Sequence, residues 1–440
     1  MQIMASNMDI IGRRDFLKTT AGALAGTAVL PKYSHAADAR EEPLKVAIVG
    51  AGRSGAKAVE TLLKIGMRTK ITAIADAFAD EAERLQKRGE ELSKKYADPR
   101  EIFDVPPERV FSGLDAYKSA TDCADIVVFA TPPVFRPQEA EYAIARGKHV
   151  FLEKPICVDS VQARKMYELA EIARAKKLTA VCGLQRRFHS GYREAMQRLS
   201  DGQIGEILYA QCDWFLSHFD GMDLKPSCRT DDPEQLEYQL RNWGLFVWTS
   251  GDHIVEQQVH NLDIIRWALG KTPKFVSAIG GRRVNLEMPK YGNRFSHFAS
   301  ELDFGEGLRV FARCRQEPNT TPQVLERIVG TKGVLQTSLF SNQTIRGEKN
   351  WTSAPPRDPV EEEYRCLVNS VRNSDAVNMI AETTDSCMLA IASRMSAYSG
   401  LRFKFEWALR KPKTSLMPQK LQFGKLPIAP LAMAEEYRII

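Results

Sequence analysis

No apolar run in this sequence approaches the roughly 20 residues that a membrane-crossing helix requires; the stretch Thr19 to Leu30 has only twelve. There is no CxxC pair among the eight cysteines (123, 157, 182, 212, 228, 314, 366 and 387), no basic run interleaved with aromatic residues, and no internal repeat. Without CxxC spacing the cysteines read as mostly buried free thiols, with Cys182 and Cys212 inside apolar, strand-like runs. The 61 Lys and Arg against 55 Asp and Glu give a formal charge of +6 spread along the chain, which argues against a nucleic acid partner. What is present is an ordinary globular composition: 440 residues, 44% hydrophobic and 26% charged, with 28 Gly and 22 Pro. Such a chain fills two or three domains of about 150 residues each and buries a sizeable core without staples.

Residues 1–36 read as an address rather than as fold. Ile11 to Lys18 runs Ile-Gly-Arg-Arg-Asp-Phe-Leu-Lys, the apolar stretch Thr19 to Leu30 follows, and then come Ser34-His35-Ala36-Ala37, small residues around a cleavage point. This resembles a twin-arginine signal, which implies the export machinery as a partner and a periplasmic destination. Proteins taking that route are exported already folded and typically resemble enzymes that load a cofactor in the cytoplasm. Folding in a reducing compartment argues against a disulfide framework.

From Leu44 onward, short apolar runs alternate with helix-period segments. Val46 to Val49, Ile71 to Ala75, Ile126 to Ala130, Val150 to Leu152 and Thr179 to Cys182 are expected as buried parallel strands. Ser54 to Ile65, Ala79 to Tyr96, Gln138 to Arg146 and Ser160 to Lys176 are expected as helices, the last with Asp159 as N-cap. After Gly183 the character changes to runs separated by turn signals, such as Gly305-Glu306-Gly307 and Gly330-Thr331-Lys332-Gly333, with few helices. The expected architecture is therefore α/β: a Rossmann domain at 44–185, then an α/β domain with an open, mostly antiparallel sheet at 186–405. Ser217 to Asn242 reads as a long polar loop, and the proline-punctuated 406–440 as an extended arm on a domain or on a partner subunit.

Gly50-Ala51-Gly52-Arg53-Ser54-Gly55 places GxGxxG directly after a strand and at the start of a helix. In that context Gly50 permits the tight turn, Gly52 lets the backbone approach a pyrophosphate, Gly55 allows close packing, and the helix start offers N–H groups to the anion. The next strand ends at Asp76, 26 residues after Gly50, where a carboxylate can accept hydrogen bonds from ribose hydroxyls and repel a 2′-phosphate. NAD is expected over NADP, although Arg53 works against that preference. Arg53, Ser54, and Thr131 and Pro132 beyond the strand Ile126 to Ala130, join this cofactor set.

Glu153-Lys154-Pro155 follows another strand end, where open parallel sheets keep their ligand crevice. With GxGxxG at its opening, Glu-Lys-Pro after the fifth strand, and a later helix bearing His260, the chain resembles the Gfo/Idh/MocA oxidoreductases over roughly 44–405. The resemblance implies that Lys154 contacts the reacting hydroxyl and the nicotinamide region, with Glu153 beside it, and that His260 is the catalytic histidine. It also implies packing of the second domain on other subunits, as a dimer or tetramer.

Gly251 to Leu269 reads as one helix, and at 100° per residue His253, Glu256, His260 and Asp263 fall within about an 80° arc. No Lys or Arg occurs between Arg241 and Arg266, so this face of histidines and carboxylates reads as a crevice wall. Histidine, with an ordinary pKa near 6.5, accepts a hydroxyl proton close to neutrality. Glu256 stands where the family more usually has aspartate, and serves as orienter or as substrate ligand. Of Gln185-Arg186-Arg187-Phe188, which resembles the family's domain junction, Arg187 is assigned to a substrate oxygen and the other arginine to structure. Asp263 fixes the histidine, binds substrate or caps structure, and His253 joins the substrate set; Trp243 offers a sugar an aromatic face or fills the core. The spacing of His253, Glu256 and His260 also admits a divalent metal, but it is not HExxH and hydride transfer needs none, so no metal is expected.

The expected reaction is hydride transfer between a non-dissociating NAD and a secondary hydroxyl of a sugar or glycoside. A redox-neutral glycoside hydrolase or isomerase on the same fold, and a non-catalytic carbohydrate-binding protein, are the alternatives.

Overall fold

Short β-branched and aliphatic runs that are apolar on both sides need cover on both faces, and they form the centre of the first sheet. The computed structural model describes residues 42–96, 102–217, 224, 228–283 and 286–439; the signal read at 1–36 lies outside them. β1 (Leu44–Val49), β2 (Thr69–Asp76), β3 (Ile102–Phe103), β4 (Val110–Ser112), β5 (Ile126–Phe129), β6 (His149–Leu152) and β7 (Ala180–Cys182) make a seven-stranded sheet. Its order is β3-β2-β1-β5-β6-β7, with β4 beside β2, and every pairing is parallel. Val46, Ile48, Ile71, Ile126 and Val128 are fully enclosed. The crossovers are α1 (Arg53–Lys64), α2 (Ala79–Tyr96), α3 (Ala116–Asp122), α4 (Arg136–Ala145) and α5 (Ser160–Ala175). Asp159 caps α5, its carboxylate accepting from the Gln162 amide at 2.8 Å.

The second sheet has nine strands: β8 (Ile207–Leu216), β9 (Phe275–Gly281), β10 (His297–Gly305), β11 (Leu308–Gln316), β12 (Gln323–Gly330), β13 (Gly333–Ser338), β14 (Thr344–Gly347), β15 (Trp351–Thr352) and β16 (Phe403–Lys404). The order β15-β14-β13-β12-β8-β11-β10-β9-β16 is antiparallel throughout except at β8–β11. The helices of this half are α6 (Ser190–Ser200), α7 (Leu236–Arg241), α8 (Val247–Ser250), α9 (Val259–Leu269), α10 (Pro359–Arg372), α11 (Ile380–Ser399) and α12 (Phe405–Arg410). Helix α7 lies inside the stretch expected to be loop.

Two long helices, α10 and α11, stand where few helices were expected. Helix α11 is enclosed almost all round, packed on β9, α5 and α9, so its sequence shows no polar stripe to betray a period. Helix α10 returns to the first sheet's side of the molecule: Arg365 donates to the Ile65 carbonyl (2.9 Å) and Arg372 to that of Arg68 (2.7 Å). The Rossmann half is therefore completed by residues far beyond 185. The arm lies on its own chain. Arg164 holds the carbonyls of Leu409 (2.6 Å) and Pro412 (2.8 Å), Asp159 accepts from the Leu416 amide (2.7 Å), and Asn293 donates to the Ala429 carbonyl (3.0 Å). All eight cysteines are free thiols.

The junction between the halves is tied by Arg186, which pairs with Glu326 of β12; the two side chains are 4% and 0% exposed. Glu326 also accepts from Asn261 (2.7 Å), Tyr192 (3.3 Å) and Thr337. Arg186 is thus held in a structural tie. Removing one partner of such a pair strands a buried charge, which costs about 3–5 kcal/mol. Arg186→Ala should lose that much in equilibrium urea unfolding, and a loss below about 1 kcal/mol, the scale of an exposed pair, would contradict the assignment.

Candidate active site

The turn after β1 is shaped by what cannot be there. Gly50 has φ +96°, and a Cβ on it would lie 2.5 Å from the Ala130 carbonyl carbon and 2.6 Å from the Thr131 nitrogen. A Cβ on Gly55 would fall 1.9 Å from the Gly50 oxygen, so α1 packs on the turn only with glycine at that point. Gly52 is different, because no described residue lies within 4 Å of the place a Cβ would take. Helix α1 has no side-chain cap and no acidic residue in its first turn, the arrangement that offers a helix start to an anion. These features fit the pyrophosphate of a dinucleotide.

Asp76 ends β2 beside this turn. Its carboxylate accepts from the Ala51 amide (2.7 Å) and the Phe78 amide (3.0 Å), while burial raises its pKa above the usual carboxylate value. Thr131 donates to Glu139 at 2.8 Å, and Arg136 donates to the carbonyls of Thr131 and of Glu153, the latter at 3.0 Å. Burial pushes the Glu139 carboxyl up to about 7. A single cavity of about 990 Å³ is lined by Gly50, Gly52, Arg53, Ser54, Asp76, Thr131, Pro132, Glu153 and Lys154. Every expected cofactor residue except Gly55, which supports the turn from behind, faces it.

At the other end of the same cavity stand Lys154, Glu256 and His260. Lys154, two residues beyond β6, donates from Nζ to the Glu256 carbonyl (2.7 Å) and to Glu256 Oε1 (2.9 Å), and Gln257 donates to the same carboxylate. The pair is 13% and 9% exposed. The His260 ring stacks on Trp214 of β8, centroids 5.5 Å apart and planes 19° from parallel, and its Nδ1 is enclosed without a hydrogen-bond partner among the described residues. Burial holds the imidazole pKa well below the usual value, and the charges of Lys154 and Arg186 act in the same direction. Trp243, Asn242, Gly244, Gln185 and Gln257 also line the cavity.

The helix carrying these groups is not one regular helix. Residues Ile254–Gln258 form a π-helical turn that runs into α9, preceded by Gly251 and Asp252 at positive φ. The wider turn breaks the 100° phase on which the four-residue face rested. Glu256 and His260 reach the cavity; His253, Asp263 and Arg187 are not in its wall. Arg187 instead clamps Asp263 (Nε 2.9 Å, Nη2 2.8 Å) and reaches Glu382 (2.8 Å), and Ser386 of α11 donates to Asp263 at 2.7 Å. This bonding leaves the pair a structural place between α9 and α11 rather than one facing substrate. His253 is wholly enclosed, with both ring nitrogens unpartnered among the described residues and its pKa well below the usual value through burial. Among the described residues no three His, Cys, Asp or Glu side chains form a metal-ligating group, so the metal alternative gains no geometric support.

Sequence reasoning missed Trp214, Arg241, Glu363 and Tyr364, all in the cavity wall. Trp214 read only as part of a strand run. Glu363 and Tyr364 belong to α10, whose start was legible in Asp358-Pro359 followed by Glu361 and Glu362; Asp358 caps it, accepting from the Val360 amide at 2.9 Å.

Residues 44–181 match the Gfo/Idh/MocA oxidoreductase family, NAD-binding Rossmann fold. The chain is 22% identical over 307 residues to scyllo-inositol 2-dehydrogenase (NAD+) of Bacillus subtilis (strain 168), covering 69% of this chain and 77% of that protein. It is 30% identical over 283 residues to inositol 2-dehydrogenase 3 of Saccharopolyspora erythraea, covering 62% of this chain and 68% of that one. The solved structure of levoglucosan dehydrogenase with NADH and levoglucosan shares the fold, with a TM-score of 0.63 at 14% identity, covering 83% of this chain and 100% of that chain.

The position of Asp76 in the NAD-binding half yields a binding test. Asp76→Ser removes the carboxylate that opposes a 2′-phosphate, and the ratio of NADP to NAD affinity should rise about tenfold, measured by calorimetric titration of each dinucleotide. An unchanged ratio would mean that another group reads the ribose.

Proposed function

We propose a reaction for this chain, which belongs to the Gfo/Idh/MocA oxidoreductase family: hydride transfer between NAD and a secondary hydroxyl of a sugar or glycoside, with the cofactor held from one turnover to the next. The observation that carries the proposal is the shared cavity, which has the glycine turn and Asp76 at one end and Lys154, Glu256 and His260 at the other. When bound, NAD+ supplies the hydride acceptor. Lys154 has three N–H donors; two are spent on Glu256, and the third points the ammonium at the substrate oxygen, where it stabilises developing negative charge. Glu256 fixes the direction of that ammonium. His260, kept neutral by its surroundings, takes the hydroxyl proton at Nε2, since Nδ1 is enclosed. Trp243 gives the sugar a ring face to lie on.

Retention of the cofactor is supported by Arg241 of α7. Its guanidinium, 3% exposed, reaches Asp80 (2.9 Å) and Glu81 (3.4 Å) at the start of α2 and lies 4.0 Å over the Phe78 ring. The second domain is thereby fastened across the adenosine end of the cavity. A twin-arginine signal at 1–36 agrees with this, because an exported enzyme has no nicotinamide pool to draw on and carries its cofactor to the periplasm. Hydride is then returned, to a second carbohydrate or to the same one after an elimination. The second sheet supports a homo-oligomer: register places Tyr209, Phe311 and Ile279 on one outer face, where they are 38%, 44% and 74% exposed.

The test begins with release and identification of the dinucleotide from purified protein, followed by a panel of inositols, aldoses and glycosides with reduced nicotinamide absorbance and net products as readouts. A ketone or lactone marks a dehydrogenase, a free sugar the redox-neutral hydrolase, and no turnover of any member a binding protein. Lys154→Ala should lower turnover about 10²–10³-fold while the dinucleotide stays bound, and normal turnover would remove Lys154 from the mechanism. A pH profile checks His260 separately. Its folded pKa is depressed, so the base is already neutral at pH 6.5, and the rate of oxidation should hold level as pH falls through that value before declining at lower pH. An acid limb centred at or above 6.5 would contradict the role given to His260.

A further inference from the structure

Helix α10 brings into the cavity a carboxyl for which the reaction has no use. Glu363 is 3% exposed, its Oε2 is enclosed with no hydrogen-bond partner among the described residues, and it lines the wall shared by Glu153, Lys154, Gln185 and Tyr364. The orientation of α10 is not in question, because Tyr364 stacks on Phe151 of β6 with centroids 4.6 Å apart and planes 16° from parallel. An enclosed polar oxygen without a partner costs about 1–3 kcal/mol, and a ligand that satisfies it recovers that cost.

The protonation state follows from the neighbours. Burial raises the Glu363 carboxyl well above the usual range, and the charges acting on it, Glu153 and Asp358, are both negative. Glu153 is itself raised by burial. Two carboxyls that oppose one another in an enclosed wall do not both ionise. Glu363 therefore presents a carboxylic acid, with one donor and one acceptor side by side. Lys154 offers donors only, and a carboxylate acceptors only.

We propose that Glu363 orients the nicotinamide ring by pairing with its carboxamide, the acid O–H donating to the amide carbonyl and the acid carbonyl accepting from the amide N–H. This rests on the reading of the cavity as an NAD site. A primary amide is the complement of a carboxylic acid in both donor and acceptor, and the pair fixes which edge of the ring lies against α10. Glu363 acts through the cofactor and is a positioning residue.

The experiment is a binding comparison on the full-length protein after charcoal removal of its dinucleotide. NAD is titrated against its 3-acetylpyridine analogue, in which a methyl group replaces the amide nitrogen, with intrinsic tryptophan fluorescence as readout. The unaltered chain should prefer NAD about tenfold. Glu363→Met, which fills the space and removes the stranded oxygen, should bring the two affinities together, while Glu363→Gln, a neutral donor and acceptor of the same shape, should keep the preference. A Met variant with the preference intact, or one that weakens both dinucleotides equally, would overturn the role of Glu363 while leaving the NAD site standing. Failure of the unaltered chain to bind either dinucleotide would overturn the cavity reading itself and this proposal with it.

Discussion

The ion pair between Lys154 and Glu256 is the constraint on which the site depends. The two residues are 102 apart in sequence, one just beyond a strand of the first sheet and the other in the π-helical turn of the second half. Both are nearly enclosed, so each charge needs the other; an unpaired ammonium or carboxylate there is the kind of group a fold does not tolerate. Their meeting fixes the separation of the two halves and sets the ammonium in one direction. The short contact to the Glu256 carbonyl adds a backbone anchor that does not change with the protonation of the side chain.

Around that pair stand buried groups whose surroundings act against their charged forms. His260 is enclosed against Trp214 and near two cations, which disfavour a third positive charge. Glu363 and Glu139 are enclosed carboxyls whose pKa values rise for the opposite reason, the loss of water around a negative charge. At the Lys154 end this wall sets a fixed positive point beside groups whose burial favours the neutral form. That suits a reaction in which a neutral alcohol becomes a neutral ketone and charge appears on the oxygen only in passing.

Much of the cofactor half was legible because its signals are local. A glycine turn between a strand and a helix, and an acid at the next strand end, each declare themselves within a few residues. Lys154, Glu256 and His260 were legible through the strand end, the cation-free helix and the resemblance they carry together. The neighbours of that helix were not, because a π-helical turn inserts a phase shift that no periodicity in the sequence reveals. His253 was accordingly placed on a face that the widened turn breaks, whereas Asp263 keeps its phase with His260 on the regular α9 and is instead taken up by Arg187 and Ser386. Helix α11 hid for the opposite reason to most missed elements: it is buried on almost every side, and so nearly uniform a pattern carries no period. Glu363 could not be placed without α10, and its significance lies in a missing partner, which is a property of the fold and not of the sequence.

The central claim is that a C–H bond of the carbohydrate is broken at this cavity with its hydrogen passing to the bound dinucleotide. Substrates deuterated one ring position at a time test it directly, with the mass of the reduced dinucleotide read by rapid quenching after the oxidation step and before its hydride is returned. One position should deliver its deuterium to the cofactor and the others none. A carbohydrate that is transformed while the cofactor gains no deuterium from any position would show that the chemistry proceeds by another route.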